Sequence, residues 1–183
     1  MEEQLVPGLL IALPTLKDPY FEKTVILMIN YTKEGAFGVI INTSSSTLVK
    51  DIIANDLEDK EGFNIPILIG GPVQPEAFWA VHSNEYNGET ATHISPKISL
   101  SAAQEALQAI ANHQGTKICH IGCGYSGWGA EQLDHEIQDE AWWLGPLNEE
   151  LVLFMPYHER WESSLKNFGL DVLTSPYIKT GTV

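Results

Sequence analysis

Residues 122–129 are the part of the sequence whose residue types and spacing come nearest to a known chemistry. Gly122, Gly124 and Gly127 fit the G-x-G-x-x-G pattern, in which backbone amides after a strand hold the phosphates of a dinucleotide. The remainder of that signature is missing, because no strand that follows ends in an acidic residue that could hold the ribose. We therefore expect no dinucleotide and no other cofactor.

The same segment could instead carry a nucleophile. Ser126 lies in Gly-Tyr-Ser-Gly-Trp, which matches the G-x-S-x-G elbow of hydrolases except that Trp128 replaces the last glycine. A simpler interpretation is a structural turn, whose glycines adopt positive φ between a strand and a helix that begins near Ala130. In both cases, free amides at the start of that helix would suit an anion or a carbonyl oxygen.

Polar side chains accompany these backbone donors and define a candidate cleft. If a helix runs from Ala130 to Leu144, its buried stripe includes Leu133 and Ile137, and Glu136 lies near the edge of that stripe. Glu136 could therefore reach toward the turn. The candidate site residues are Asp18, Asn42, Gly71, Gly124, Trp128, Gln132 and Glu136.

The sequence predicts no metal site. His135 and Asp139 resemble the helix of a zinc protease with Asp in place of the second histidine, but both project away from the buried stripe. The other histidines share no spacing that would bring them onto one ion.

The charge balance argues against nucleic acid. The formal net charge is −14, and Arg160 is the only arginine among ten basic residues. Binding to nucleic acid draws most of its affinity from Lys and Arg that neutralise phosphates. The lysines form no cluster, so we expect neither direct nucleic-acid binding nor docking on an anionic membrane.

Length and apolar patterning predict a soluble protein of the cytoplasm. No segment approaches the roughly 20 apolar residues that span a bilayer, and the first residues lack the features of a secretory signal. The two cysteines, Cys119 and Cys123, would be roughly 13 Å apart on an extended segment. That distance is too long for a disulfide, so we expect two free thiols.

Hairpins in the first half and helices in the second predict a single α+β domain over residues 1–183. The predicted strands are 9–13, 24–31, 36–42, 65–69, 78–82, 89–94, 116–121 and 151–155. The segments 24–31 and 36–42 form one expected hairpin, and 78–82 and 89–94 form another. The predicted helices are 48–54 with Thr47 as cap, 101–115 with a capping box at Ser101, 130–144 and 161–168.

Several ordered motifs resemble the AlgH/YqgE family of bacterial proteins. The motifs are Leu10-Ile11-Ala12-Leu13-Pro14 followed by Asp18-Pro19-Tyr20-Phe21, Gly35-Ala36-Phe37-Gly38 with Asn42, Gly70-Gly71-Pro72-Val73, Gly124-Tyr125-Ser126-Gly127-Trp128 with Gln132, Leu133 and Glu136, and Trp161. The resemblance implies a bifurcated, mostly antiparallel sheet that curls into a pseudo-barrel with helices around it. It implies no reaction and no catalytic residue. Glu131 stands where the family usually has glycine.

Three functions are compatible with these features. The first is a non-enzymatic regulatory or interaction domain that binds a protein or small molecule, which the missing catalytic signature favours. The alternative is a hydrolase or transferase acting on a small substrate in the cleft at residues 122–129. Direct action on DNA is suggested only by the family's name, and the charge of −14 opposes it.

Overall fold

Strands dominate the fold of residues 6–53 and 63–169, the part of the chain that the computed structural model describes. The strands are β1 (Gly8–Ala12), β2 (Val25–Thr32), β3 (Gly35–Ile40), β4 (Ser44–Leu48), β5 (Pro66–Ile69), β6 (Val73–Ser83), β7 (Thr92–His93), β8 (Ile98–Ala102), β9 (Cys119–Gly129) and β10 (Trp142–Pro146). The helices are α1 (Val49–Ile52), α2 (Ala103–Ala111), α3 (Gln132–Gln138), α4 (Glu149–Phe154) and α5 (Arg160–Asn167), and a 3-10 turn spans Tyr157–Glu159.

All of these strands belong to one sheet that branches at β9. The main path is β10-β1-β2-β3-β9-β6-β8-β7, and β4 and β5 lie off it. Residues 126–129 of β9 pair with β3, whereas Gly122 and Cys123 pair with β5. Within the described residues, β5–β9 is the one parallel pairing. The predicted α+β class and the bifurcated, mostly antiparallel sheet, curled into a half-barrel, are confirmed.

Both faces of the sheet are covered by packed side chains. Successive residues of a strand point to opposite sides, so one strand contributes to the cores on both faces. In β2, Val25 and Leu27 join an inner core with Leu151 of α4 and Leu165 of α5. Their neighbours on β2 join a second core on the other face with Leu133 of α3. A third core packs α2 against β6 and β9.

Several predicted elements are confirmed. The hairpin of β2 and β3 forms around the expected polar turn, and β5 matches the segment predicted from residue 65. Helices α2 and α5 form where the apolar spacing predicts them, and α1 begins after Leu48 instead of Thr47. Residue 54, the predicted end of that first helix, lies outside the described residues. The extent of a single domain over 1–183 stays a prediction.

The turn predicted at residues 122–129 is wrong, because β9 continues through it to Gly129. Three neighbouring strands pair with it: β3 beside residues 126–129, β6 beside residues 119–123 and 125, and β5 at Gly122 and Cys123. Two of the glycines, Gly122 and Gly124, reflect crowding. A Cβ on Gly122 would lie 2.2 Å from the Trp79 ring. The glycine pattern therefore marks a place where three strands meet.

The helix predicted from Ala130 to Leu144 is also wrong in length. Helix α3 covers only Gln132–Gln138, and β10 follows at Trp142–Pro146. The adjacent Trp142 and Trp143 therefore sit on a strand and face opposite sides. Trp142 packs in the outer core, whereas the Trp143 ring lies 5.2 Å from Phe168.

The strand predicted at 151–155 is wrong, because residues 151–154 belong to helix α4, which ends at Phe154. The Asn148 side chain accepts a hydrogen bond from the Leu151 amide at 3.1 Å, which caps α4, and Glu149 and Glu150 occupy the first turn. Acidic residues are favourable there because of the helix dipole. These cap signals outweigh the strand-like run of apolar residues, of which Leu151, Val152 and Leu153 are buried and Phe154 is exposed.

The second predicted hairpin pairs differently. β6 pairs with β8, and the short β7 pairs on the far side of β8. Ser101 lies on β8, so it does not cap α2. Its hydroxyl lies 2.7 Å from Nε2 of the buried His82. In the described part of the chain, none of the helices has the length and apolar character that crossing a membrane requires.

Candidate functional site

Three of the candidate side chains come together on one side of the sheet. Trp128 Nε1 donates a hydrogen bond to Glu136 Oε2 at 2.9 Å, and Gln132 Nε2 donates to Glu136 Oε1 at 3.0 Å. Trp142 Nε1 donates to the same Oε2 atom at 2.8 Å. Both carboxylate oxygens of Glu136 are therefore engaged by neighbours within the protein.

The start of α3 explains why these groups meet. Gln132 and Glu136 are four residues apart on the helix, so they share one face. Gln132 Oε1 accepts the Gly129 amide at 3.0 Å, which joins the end of β9 to the helix. Farther along α3, Asp134 accepts the hydroxyl of Tyr31. Burial, followed by that hydrogen bond, raises the pKa of Tyr31 to about 12.

Asp18 and Asn42 shape the loop between β1 and β2. Asp18 Oδ1 accepts the amides of Tyr20 at 2.7 Å and Phe21 at 3.1 Å. Asn42 Oδ1 accepts the Val25 amide at 2.7 Å, and its Nδ2 donates to a carbonyl of the same loop. The loop places the Phe21 ring 5.7 Å from Trp142 and 6.5 Å from Trp128. Phe21, Trp128 and Trp142 form an aromatic cluster. Asp18 and Asn42 hold the loop that carries Phe21, because their side chains bond to its backbone.

Gly71 and Gly124 lie against each other where β5 leads into β6. Gly124 has φ +70, and a Cβ there would lie 2.4 Å from the Gly71 carbonyl oxygen. The neighbouring Gly70 amide donates to the Cys123 carbonyl at 2.8 Å, and the Gly70 carbonyl accepts the Ser126 hydroxyl at 3.1 Å. The glycines serve close backbone approach.

The expected hollow of open amides is therefore not formed by residues 122–129. Ser126 is fully buried and bonded to a carbonyl, so the exposed nucleophile elbow is a wrong interpretation of this segment. The dinucleotide pattern does not apply either, because a continuous strand and not a strand-to-helix turn carries the three glycines.

A cleft of about 650 Å³, which the candidate residue Trp128 helps to line, lies on the inner face of the sheet. Phe37 and Val39 of β3, Tyr125 and Gly127 of β9, and Val73 of β6 line it, among others. Ile29, Leu100 and Tyr125 pack against the inner core, so the cleft continues the apolar interior toward solvent. Phe37 is 38% exposed, and its ring lies 6.1 Å from that of Tyr125 in an edge-to-face arrangement.

The chain matches a family of proteins over most of its length. The DUF179 model, described as AlgH-like, matches residues 9–173. The chain belongs to the AlgH-like family. A UPF0301 protein of Saccharophagus degradans is 32% identical over 165 residues, which cover 89% of this chain and 81% of that protein. A UPF0301 protein of Hahella chejuensis is 34% identical over 162 residues, 88% of each chain.

Solved structures agree with the AlgH-like assignment. The solution structure of the AlgH protein from Pseudomonas aeruginosa matches with a TM-score of 0.78 and 27% identity, covering 100% of this chain and 98% of that chain. A Corynebacterium diphtheriae protein matches with a TM-score of 0.72 at 19% identity, covering 91% of this chain and 88% of its own, which supports the fold alone.

A buried basic cluster in this AlgH-like chain was missed by the sequence reasoning. Arg160 is fully buried, with Nε donating to the Met155 carbonyl at 3.0 Å and Nη1 to the Ile41 carbonyl at 2.7 Å. Its guanidinium lies 4.7 Å from the Tyr157 ring centroid. Burial lowers the pKa of Arg160 to about 10, so the group is charged at neutral pH.

His120 lies in the same cluster and is held neutral. Burial first, and then the charge of Arg160, lowers the pKa of His120 to about 4. Its Nε2 lies 3.0 Å from the Leu153 carbonyl, which can only accept, so Nε2 carries the proton. Nδ1 therefore accepts from the Tyr157 hydroxyl at 2.8 Å. This network ties β9 to the end of α4.

The cysteines of β9 are both free thiols. Burial raises the pKa of Cys119 to about 12 and raises that of Cys123 as well, which disfavours the nucleophilic thiolate. Among residues 6–53 and 63–169, no group of three or more His, Cys, Asp or Glu side chains is placed to hold a metal ion.

Proposed function

We propose that this AlgH-like protein is a non-enzymatic regulatory or interaction domain that binds a small molecule or a protein segment in the cleft that residues of β3, β9 and β6 line. The observation that carries this proposal is the cleft itself. Its volume of about 650 Å³ lies within the range of ligand-binding pockets, roughly 300 to 1,000 Å³.

The character of the lining supports ligand binding. Phe37 and Tyr125 place two aromatic rings along one wall, and Val73 and Leu100 add apolar surface. Large partly exposed aromatic side chains are common anchors for ligands and partners because they bury much apolar area. The Phe37 side chain is 38% exposed beside this apolar cleft. A ligand that covers it removes apolar surface from water, which favours binding.

The engagement of the candidate polar residues favours this proposal over the enzymatic alternative. A general acid or base must reach the substrate proton within hydrogen-bond distance. The carboxylate of Glu136 instead holds two indoles and Gln132, and the side chains of Asp18 and Asn42 hold backbone amides. Those residues act as supports for the aromatic cluster in our proposal, and the cleft binds without chemistry.

We also propose that the protein does not bind nucleic acid directly and acts in the cytoplasm. The only arginine of the chain is buried and bonded to carbonyls, so it cannot reach a phosphate from the folded state. The net charge of −14 repels a polyanion at long range. The free thiols of Cys119 and Cys123 are consistent with a reducing compartment.

Titration with the neutral fluorophore N-phenyl-1-naphthylamine tests the cleft. Gly127 lines it, and a Cβ at that position would have 3.5 Å to its nearest neighbour, so Gly127→Leu should fill the cleft with little strain on the fold. We expect saturable binding to the wild type and at least a tenfold weaker affinity for Gly127→Leu.

Gly129→Leu is the matched control. Its added Cβ would lie 3.9 Å from Gln132 Oε1 at the exposed end of the same strand, and Gly129 is not among the residues that line the cleft. The control should bind like the wild type, and both variants should keep the wild-type circular dichroism spectrum. Absence of saturable binding to the wild type, or equal loss in both variants, would remove the cleft as the binding site.

A further inference from the structure

The charge in the cleft is concentrated at one residue. Among the described residues that line it, Glu34 is the one that carries a formal charge, and no lining residue is a lysine, an arginine or a histidine. Glu34 is an exposed residue of the turn between β2 and β3, at the rim of the cleft. Lys33 is exposed in the same turn but is not part of the lining.

Glu34 is ionised under ordinary conditions. Its pKa is lowered, first by the hydrogen bond with the Thr32 side chain and then by a backbone hydrogen bond. The Glu34 amide also donates to Thr32 Oγ1 at 3.3 Å, which keeps the turn closed. The rim of the cleft therefore carries an ionised, exposed carboxylate, on a chain whose net charge is −14.

Aromatic rings continue from that charge into the cleft. Phe37 lies three residues after Glu34 along β3, roughly 10 Å at full extension. Its ring and that of Tyr125 are 6.1 Å apart with planes at 71°. A cation near the faces of such rings is attracted by their quadrupoles, and the attraction grows when water is excluded.

We propose that the cleft selects an apolar ligand that carries an ammonium group, whose cation lies between the Glu34 carboxylate and the Phe37 and Tyr125 rings while its apolar part occupies the cleft. This inference rests on the proposed function, because it names the ligand class of the same cleft. Carboxylate and phosphate ligands are disfavoured, since Glu34 would repel them and no lining cation would balance them.

Three competitors that share an eight-carbon chain and differ in charge separate the two proposals. Octyltrimethylammonium, 1-octanol and octanoate are each used to displace N-phenyl-1-naphthylamine at fixed ionic strength. We expect the ammonium compound to bind at least fivefold more tightly than octanol, and octanoate to bind most weakly. In Glu34→Gln, the preference for the ammonium compound should fall below twofold while the affinity for octanol stays unchanged.

Glu162→Gln is the control for overall charge, because it removes the same unit of charge from an exposed position on α5, which packs against the inner core and does not include any lining residue of the cleft. It should keep the wild-type preference. If octanol binds but the ammonium preference is absent, survives Glu34→Gln or is lost equally in Glu162→Gln, the ligand class is wrong and the cleft remains. If no probe binds, both proposals fail.

Discussion

Glu136 on α3 and Trp128 on β9 are joined by a hydrogen bond of 2.9 Å between a carboxylate oxygen and an indole nitrogen. The bond connects the short helix to the strand at which the sheet branches. Trp142 of the edge strand β10 donates to the same oxygen, so one carboxylate holds three elements together. Glu136, predicted as a residue of the candidate cleft, therefore bonds to three side chains of the protein itself.

Replacement of Glu136 by alanine should destabilise the fold. Two largely buried indole N–H groups would lose their acceptor, and hydrogen bonds to charged groups contribute about 1.5 to 3 kcal/mol each. We expect Glu136→Ala to lower the free energy of unfolding by about 2 to 4 kcal/mol, with a smaller loss for Glu136→Gln, which keeps one acceptor oxygen. Urea denaturation followed by circular dichroism measures this.

The control for that prediction is Glu162→Ala, an exposed glutamate whose loss should change the unfolding free energy by less than about 0.5 kcal/mol. Equal effects at positions 136 and 162 would show that the carboxylate does not hold the tryptophans in solution.

Glu131→Gly should stabilise the protein. Glu131 precedes α3 with φ +60, a left-handed conformation that glycine adopts freely and other residues adopt at a cost of about 1 kcal/mol or more. The side chain is exposed, and its removal costs little packing. We expect a gain of about 1 kcal/mol, measured as a higher urea midpoint at unchanged slope.

Glu131→Ala separates the backbone effect from the charge effect. Alanine removes the same carboxylate but keeps a Cβ, so the strained conformation remains. The alanine variant should therefore be no more stable than the wild type. If both variants were stabilised equally, relief of charge repulsion and not relief of strain at residue 131 would be the cause.

His120 should make stability depend on pH between about 4 and 6.5. Its pKa is about 4 in the folded protein, whereas an unfolded histidine has a pKa near 6.5, so the unfolded chain binds the extra proton in this window. Stability is therefore complete above pH 6.5 and falls as the pH drops toward 4. The expected loss is about 2 to 3 kcal/mol.

His120→Gln should flatten that dependence, since glutamine keeps a donor for the Leu153 carbonyl and does not titrate. His158→Gln, at an exposed position, should retain the wild-type slope. Unfolding free energies measured from pH 7 to pH 4.5 provide the comparison. In this range the effect of His120 dominates, because the stability contributed by carboxylates with lowered pKa values is lost mainly at lower pH. Identical slopes in all three proteins would contradict the assignment.

Short-range sequence patterns predicted several strands and helices of the fold. The β-branched runs around the polar turn predicted β2 and β3, and the helical spacing after Ser101 predicted α2. The ordered motifs also predicted the branched sheet through family resemblance. Residues 151–155 were misassigned because a short apolar run fits a buried strand or a buried helix equally well, and the Asn148 cap decides between them.

The candidate site was predicted in part. Trp128, Gln132 and Glu136 do meet, because spacing along one helix brought two of them to the same face. Of the candidate residues, Trp128 lines the cleft of about 650 Å³. The rest of its wall was missed because it combines β3 with β9 and β6, which are distant in sequence. One signal was present: Gly35, Phe37 and Val39 alternate along β3, and this alternation leaves the large ring of Phe37 on a partly open face.

The buried position of Arg160 has a consequence for the exterior of the molecule. Since it is the only arginine in the sequence, the native protein shows no guanidinium to solvent, and every exterior side chain with a permanent positive charge is a lysine. Phosphates and carboxylates outside would meet compact ammonium groups and never a planar fork with two parallel donors. A guanidinium-directed reagent such as phenylglyoxal would therefore report the opening of the interior and not the chemistry of the surface.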